Sequence, residues 1–451
     1  MITMENKQRV KTIAVIFIIA IVLISLITEF LYIFNNKYTY NKLQPEKGVL
    51  TLSQEEIDSN PFHFLIKDWE FYEDALLTPT YFKNQTSLPN MKYVSIGDTE
   101  SSYTSQTKNN TFIGTYRMKI NFPEKEGFYA LEMPQVYSAY ELYINDKLYL
   151  KVGDTHNYKA QIQNRCTFFT ASGETYITIA VKDASGIRAG ITSPPTLGKP
   201  YSINITRAFK FLINNFIMTL IFFGALFSLI LAISGKSNYS YMFFFMCLIY
   251  AVYLNHPLIN LCFSMGGNFS YIFEYFCTHF VYLMVIMLQN RLCNLNKNVS
   301  SISEICGSVF CAIAFVYGVF TPYLSAPLCT FLSTLCNVFE WLAAIYLVAI
   351  GTYAVFNDIK YGRIFLFGNV CFAVSLLLYI IQPLYDSIYT DQSVEIGILA
   401  ILGCLYFVYW ASIIDKYIRN MALDDERRLM ERQINLYKEN YVHITEQIEE
   451  T

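Results

Sequence analysis

Hydrophobic and polar positions divide the chain into two regimes. One apolar run covers 12–34. A long polar stretch follows over about 35–205, and then seven apolar runs come in quick succession, near 210–233, 240–262, 270–292, 303–321, 328–356, 362–384 and 395–417. Each run is close to the roughly 20 residues that a helix needs to cross a bilayer. The first is preceded by Lys7, Arg9 and Lys11 and ends in Glu29-Phe30-Leu31-Tyr32. It is longer than the core of about 7–15 residues found in a secretory signal peptide, and no small-residue cleavage site follows it. It therefore reads as an uncleaved anchor; a cleaved signal peptide is the alternative. Inside the polar stretch the period falls to two. Tyr116, Met118, Ile120 and Phe122 alternate with Arg117, Lys119 and Asn121, and Tyr140, Leu142 and Ile144 with Glu141 and Tyr143. Ile177, Ile179 and Val181 do the same with Thr178 and Ala180. Such alternation predicts half-buried antiparallel strands. Asn145-Asp146 predicts a hairpin turn, and Gln54-Glu55-Glu56-Ile57 a single helical turn. Many short strands with polar turns predict a β-sandwich.

Beyond the last apolar run the chain turns polar, and Met430, Ile434, Tyr437, Tyr441, Ile444 and Ile448 recur at alternating steps of four and three. That is a heptad seam, and it predicts a parallel homodimeric coiled coil below the membrane. A single amphipathic helix on the membrane surface is the alternative, which the mixed charge of Glu431, Arg432, Lys438, Glu439 and Glu446 disfavours.

Loop charge orients these segments. Alternate loops carry Lys236, then Arg291 and Lys297, then Lys360 and Arg363, and the last run exits into Lys416 and Arg419. The intervening loops hold no Lys or Arg, but do hold Asp386 and Asp391. By the positive-inside rule both termini are cytoplasmic and the polar stretch is outside. The expected layout is a cytoplasmic tail (1–11), an anchor (12–34), an extracellular β-sandwich (35–205), a seven-helix transmembrane unit (206–418) and a cytoplasmic coiled-coil helix (419–451).

Composition changes this picture little. The 451 residues are 54% hydrophobic and 15% charged, with a net charge of -3, which gives no footprint for a nucleic-acid partner. Of 11 cysteines only Cys166 lies in the exported stretch, so an internal disulfide is excluded there and the domain depends on its own core. No CxxC pair, HExxH or GxSxG pattern is present, and neither metal nor cofactor is implied.

Several segments of the polar stretch resemble a known module. They are Lys67-Asp68-Trp69-Glu70-Phe71-Tyr72 with Leu76-Leu77-Thr78-Pro79, then Thr115-Tyr116-Arg117-Met118. Tyr137-Ser138-Ala139-Tyr140-Glu141-Leu142-Tyr143-Ile144-Asn145 and Ser185-Gly186-Ile187-Arg188-Ala189-Gly190 with Gly198 complete the set. In this order, and followed by seven spans, they resemble the extracellular jelly roll of bacterial seven-transmembrane receptors with diverse intracellular signalling modules (the 7TMR-DISM family), over about 65–418. The chain departs from that pattern at Asn145-Asp146, where the family has Asn-Gly, and at Asp98-Thr99-Glu100, where a Trp is common. The resemblance implies an all-β jelly roll similar to carbohydrate-binding domains and a place in the bacterial cytoplasmic membrane. It also implies a cytoplasmic output that follows the coiled coil, usually a sensor histidine kinase of a two-component system and sometimes a diguanylate cyclase. No such catalytic module lies within this chain.

For ligand contact the strand ends offer Tyr137, Tyr140, Asp154, His156, Asn157 and Arg188, since loops carry function more often than strands; core filling and turn satisfaction are the plainer roles. Within the spans Glu274 and His279 share one helix, and Asn337 and Glu340, three apart, share one face of another. Asn214, Asn215, Gln289 and Asn369 are further polar positions. Intramembrane polar groups either line a functional cavity or hydrogen-bond helix to helix. Glu29 and Asp415 are expected to snorkel. The expected function is a receptor for an extracellular small molecule that signals to a cytoplasmic domain or partner. A membrane-anchored adhesion protein, or a transporter or enzyme working through Glu274, His279 and Glu340, are the alternatives.

Overall fold

The computed structural model describes residues 4–40, 43–84, 90–97, 112–184, 189–234, 239–263, 270, 272–382, 384–389 and 396–449. It comprises a sheet-rich region and a helical region. The strands are β1 (Val49–Thr51), β2 (Phe62–Phe64), β3 (Trp69–Glu73), β4 (Met91–Val94), β5 (Phe112–Asn121), β6 (Gly127–Met133), β7 (Ala139–Ile144), β8 (Lys147–Val152), β9 (Arg165–Ala171), β10 (Glu174–Asp183) and β11 (Thr196–Gly198). Seven of them form one sheet in the order β4-β3-β5-β10-β7-β8, with β1 also on β5; the others form a second sheet, β2-β11-β6-β9. One core joins the two. Trp69, Phe71, Met118, Ile120, Leu142, Ile177 and Ile179 from the larger sheet pack with Leu131, Met133, Phe169 and Leu197 from the smaller.

The three alternating patterns become β5, β7 and β10, and Asn145 makes the β7–β8 turn at φ 52°. Its side chain accepts from the Tyr176 amide at 2.8 Å, so a polar residue that tolerates positive φ fixes the hairpin against β10. The predicted helical turn is Gln54–Ser59, capped by the Ser53 hydroxyl. The alternation understates β10. Thr178 and Ala180, expected outside, are buried, because the outer face of the larger sheet is covered as well. A short helix, Pro79–Asn84, lies over it: Tyr72 meets Phe82 edge-on, and the Arg117 guanidinium sits 4.3 Å from the rings of both Phe82 and Tyr176.

The helical region is built from α1 (Met4–Phe34), then, after those short helices, α2 (Pro200–Ile233), α3 (Ser240–Phe263), a π-helix (Ile272–Cys277) running into α4 (Thr278–Leu292), α5 (Lys297–Phe320), α6 (Ala326–Phe356), α7 (Gly362–Ile381) and α8 (Ile396–Glu449). Seven of the described helices are long and apolar enough to cross a membrane, and α3 contributes a shorter apolar segment, Ser240–His256. This fits a multi-pass membrane protein.

Two expected boundaries move. The 205/206 division falls inside α2, which starts at Pro200; Pro at the first helical position favours initiation, and the polar opening turns hide the helix from a hydropathy pattern. The 418/419 division falls inside α8, one helix of 54 residues. Small residues set the tightest helix crossing. A Cβ on Gly351 of α6 would lie 2.7 Å from the Leu366 Cα of α7, and one on Gly397 of α8 would lie 2.9 Å from the Phe372 Cα of α7.

The first helix belongs to the bundle. Ala20 and Ile24 pack with Val355, Leu366, Val370 and Cys371. Its end is then tied to residues 384–389. Asn36 donates to the Leu384 carbonyl at 3.0 Å and accepts from the Asp386 amide at 3.1 Å. Asn35 accepts from the amides of Ile388 and Tyr389, and Lys37 pairs with Asp386 at 2.8 Å. Next to this tie Phe62, Phe64 and Ala130 of the smaller sheet pack on Ile203 of α2, Ile388 and Tyr389. The sheets therefore sit on this end of the bundle, with Arg207 reaching Glu132 at 3.5 Å and Lys199 reaching Asp58 at 2.6 Å.

Candidate functional site at the junction of sheets and helices

The sequence segments that carried the resemblance converge. The Thr115 hydroxyl donates to the Ala75 carbonyl at 2.7 Å and accepts from the Leu77 amide at 2.8 Å. The Ser138 hydroxyl donates to Asp183 at 3.0 Å and accepts from the Gly190 amide at 3.2 Å. These groups are buried, and their bonds hold loop to strand.

The proposed ligand residues separate. Tyr140 is in the core, with its hydroxyl unpartnered among the described residues; it is no surface contact, because its place in β7 points it between the sheets. Asp154 accepts from the amides of His156 at 2.9 Å and Asn157 at 3.2 Å, and those two amides hold its carboxyl below the usual range. His156 and Asn157 are exposed, and the His156 carbonyl accepts from Lys182 at 3.1 Å. The three residues make an Asx turn. Arg188 lies outside the described residues, as do Asp98-Thr99-Glu100, Asp391 and the side chains of Tyr441, Ile444 and Ile448.

Tyr137 does something the strand pattern did not foretell. It is buried, in the connection between β6 and β7, and packs with Ile162 of the β8–β9 connection against Tyr275 of the π-helix. Its hydroxyl donates to Glu274. An aromatic from the sheets and a carboxylate from the helices thus meet across the junction. The helix is widened at this point, and side chains serve the loosened ladder. Thr278 donates to the Glu274 and Tyr275 carbonyls at 2.5 and 3.0 Å, and His279 Nδ1 lies 2.8 Å from the Tyr275 carbonyl. Single π turns inside α-helices recur at functional sites.

From here the contacts lead inward. His279 Nε2 faces the Cys336 carbonyl of α6 at 3.4 Å, and its ring stacks on Phe339 at 5.5 Å. Tyr275 meets Tyr317 of α5 edge-on at 4.7 Å. Each imidazole nitrogen points at a carbonyl, and a neutral ring can donate to only one of them. On α6 Asn337 is exposed and Glu340 half-buried. Deeper, Gln289 and Asn369 exchange amide hydrogen bonds at 2.7 and 2.9 Å, and Asn369 also donates to the Leu347 carbonyl at 2.6 Å. This pair ties α4, α6 and α7 together, the packing role. Asn215 returns its amide to the Phe211 carbonyl at 2.8 Å. Glu29 and Asp415 also have protein partners: Gln382 donates to Glu29 at 3.3 Å, and Lys360 and Tyr361 both bind Asp415. Among the described residues no three His, Cys, Asp or Glu side chains gather as a metal site.

No family model matches the chain, and no curated protein does. Solved structures give local likeness only. A β-glucuronidase of Faecalibacterium prausnitzii is 15% identical over 30% of this chain and 31% of its own, at a TM-score of 0.23. A β-galacturonidase of Eisenbergiella tayi is 12% identical over 31% of this chain and 24% of its own, at 0.22. A β-glucosidase of Kluyveromyces marxianus is 15% identical over 31% of this chain and 18% of its own, at 0.21. The chain spans under a third of each of them, and likeness at this level carries no conclusion about activity.

Proposed function

We propose that the chain is the sensing and transmitting part of a bacterial transmembrane receptor of the 7TMR-DISM type. Its sheets face outward and bind a small molecule, and its tail pairs two chains and passes the change to a cytoplasmic output, such as a histidine kinase module. The observation that carries this reading is α8. One unbroken helix of 54 residues begins in the bundle and leaves it as a tail on which Met430, Ile434 and Tyr437 are exposed. An exposed apolar seam, with Leu429 and Leu436 exposed beside it, is what a second identical helix would cover. A rotation of the bundle end of α8 would turn that seam directly. The Tyr137–Glu274 contact supplies the input side, because a displaced β6–β7 connection pulls on the π-helix. A ligand drives such a change only through different affinities for the two states.

The test is disulfide crosslinking of Ile434→Cys, with Tyr441→Cys beside it, in native membranes across a panel of mono- and oligosaccharides and other small solutes. Crosslinked dimer whose yield shifts with a solute that binds, and loses that shift in Tyr137→Phe, supports the receptor reading. Solute binding that leaves both crosslinks unchanged would sink it.

A further inference from the structure

At the end of the bundle opposite the sheets, a cavity of about 420 Å³ opens between α1 and the α6–α7 turn. Gln8, Arg9 and Thr12 line one wall; Asp358 and Arg363, with the apolar Val355, Ile359 and Ile364, line the other. Arg9 spans the mouth and binds both the Phe356 carbonyl and the Asp358 carboxylate. Arg363 is exposed, with no hydrogen bond or ion pair among the described residues, and occupies the first turn of α7. A helix start carries partial positive charge. Two guanidiniums and that helix start against a single carboxylate leave the cavity cationic.

Its depth is fixed by helix length. From Asn35, held at the sheet end, back to Arg9 the helix rises roughly 39 Å at about 1.5 Å per residue. The hydrocarbon core is about 30 Å thick, and about 40–45 Å with headgroups. Arg9 and Arg363 therefore lie at headgroup level, beside the apolar part of the lining.

From this geometry we infer that the cavity binds the phosphate of an anionic ligand, and that in the membrane it is filled by an acidic phospholipid. The forked guanidiniums suit phosphate oxygens, and basic clefts between helices at this level take acidic headgroups. The inference needs only that the chain spans a membrane and stands apart from the receptor reading. It adds a regulatory route. The same turn binds Asp415 of α8 through Lys360 and Tyr361, so a lipid held by Arg363 stiffens the link to the tail helix.

Native mass spectrometry of the full chain released from nanodiscs tests this, with equal phosphatidylglycerol and phosphatidylcholine offered. The wild type should retain phosphatidylglycerol at least fivefold over phosphatidylcholine, and Arg363→Gln should lose most of that preference. Arg363→Lys should keep part of it, and Lys438→Gln, on the exposed tail, all of it. If inorganic phosphate at millimolar concentration displaces the lipid, the anion site stands and its source is soluble; if it does not, the source is the membrane. Equal retention of the two lipids by the wild type, or a preference unchanged in a folded Arg363→Gln protein, overturns the assignment.

Discussion

At the scale of single residues, function and stability turn on a few buried polar groups. Tyr137→Phe keeps the ring against Tyr275 and deletes the hydroxyl donated to Glu274. Hydrogen bonds to charged groups contribute about 1.5–3 kcal/mol. The substitution should therefore split a single thermal transition in detergent into two, with sheets and helices melting apart; one unchanged transition would show that the contact does not couple them. His63 makes a second prediction. It is buried in β2, with Nε2 unpartnered among the described residues. Burial holds its imidazole below the ordinary range, against the pull of the Glu56 carboxylate. The folded form keeps His63 neutral while the unfolded chain takes up a proton below about pH 6.5. Stability is thus full above that pH and falls as pH drops toward the folded value. His63→Gln should flatten the fall in melting temperature between about pH 6.5 and 5. Tyr137 was visible in the sequence as a polar aromatic near a strand end. Its partner, 137 positions further on, belonged to another pattern altogether, and no local period links the two.

At the scale of elements, the apolar runs located every long helix, because hydropathy answers to the one constraint these segments share. It did not report that α2 begins in polar residues, so that start had to come from the fold, whereas the tail of α8 was read from the heptad spacing and the fold makes it continuous with the last apolar run. Strand period likewise found β5, β7 and β10 but assigned outward faces to Thr178 and Ala180. Both are buried, and on the same face the helix at Pro79–Asn84 lies over Tyr72 and Arg117, whose guanidinium sits between Phe82 and Tyr176. Helix contact makes the prediction at this scale. Gly351→Leu would drive side-chain atoms into the α7 backbone. Overpacking of this kind costs about 1–3 kcal/mol or more, which should appear as a lowered thermal midpoint and reduced recovery from membranes, whereas Gly403→Leu, where a Cβ meets nothing within 4 Å, should be tolerated.

For the whole molecule the question is which end faces which compartment. The sheets rest on one end of the bundle and α8 leaves from the other. A membrane-impermeant maleimide should label Phe128→Cys, an exposed site on β6, in intact cells. It should label Met430→Cys only after permeabilisation; the reverse pattern would invert the topology read from the loop charges. Both sites are exposed, so labelling will reflect the barrier and not burial.

The tie between Asn35, Asn36 and residues 384–389 has a consequence for biosynthesis. The first helix is made well before its partner loop, which follows about 350 positions later. At 5–20 residues per second that is a wait of roughly 20–70 s. Until the loop arrives the two asparagine side chains lack the partners that residues 384–389 supply, and this end of α1 has no polar tie to the loop. Ribosome stalling late in the message would therefore leave an open intermediate, and Asn36→Ala should make the completed chain resemble it in its sensitivity to membrane proteases.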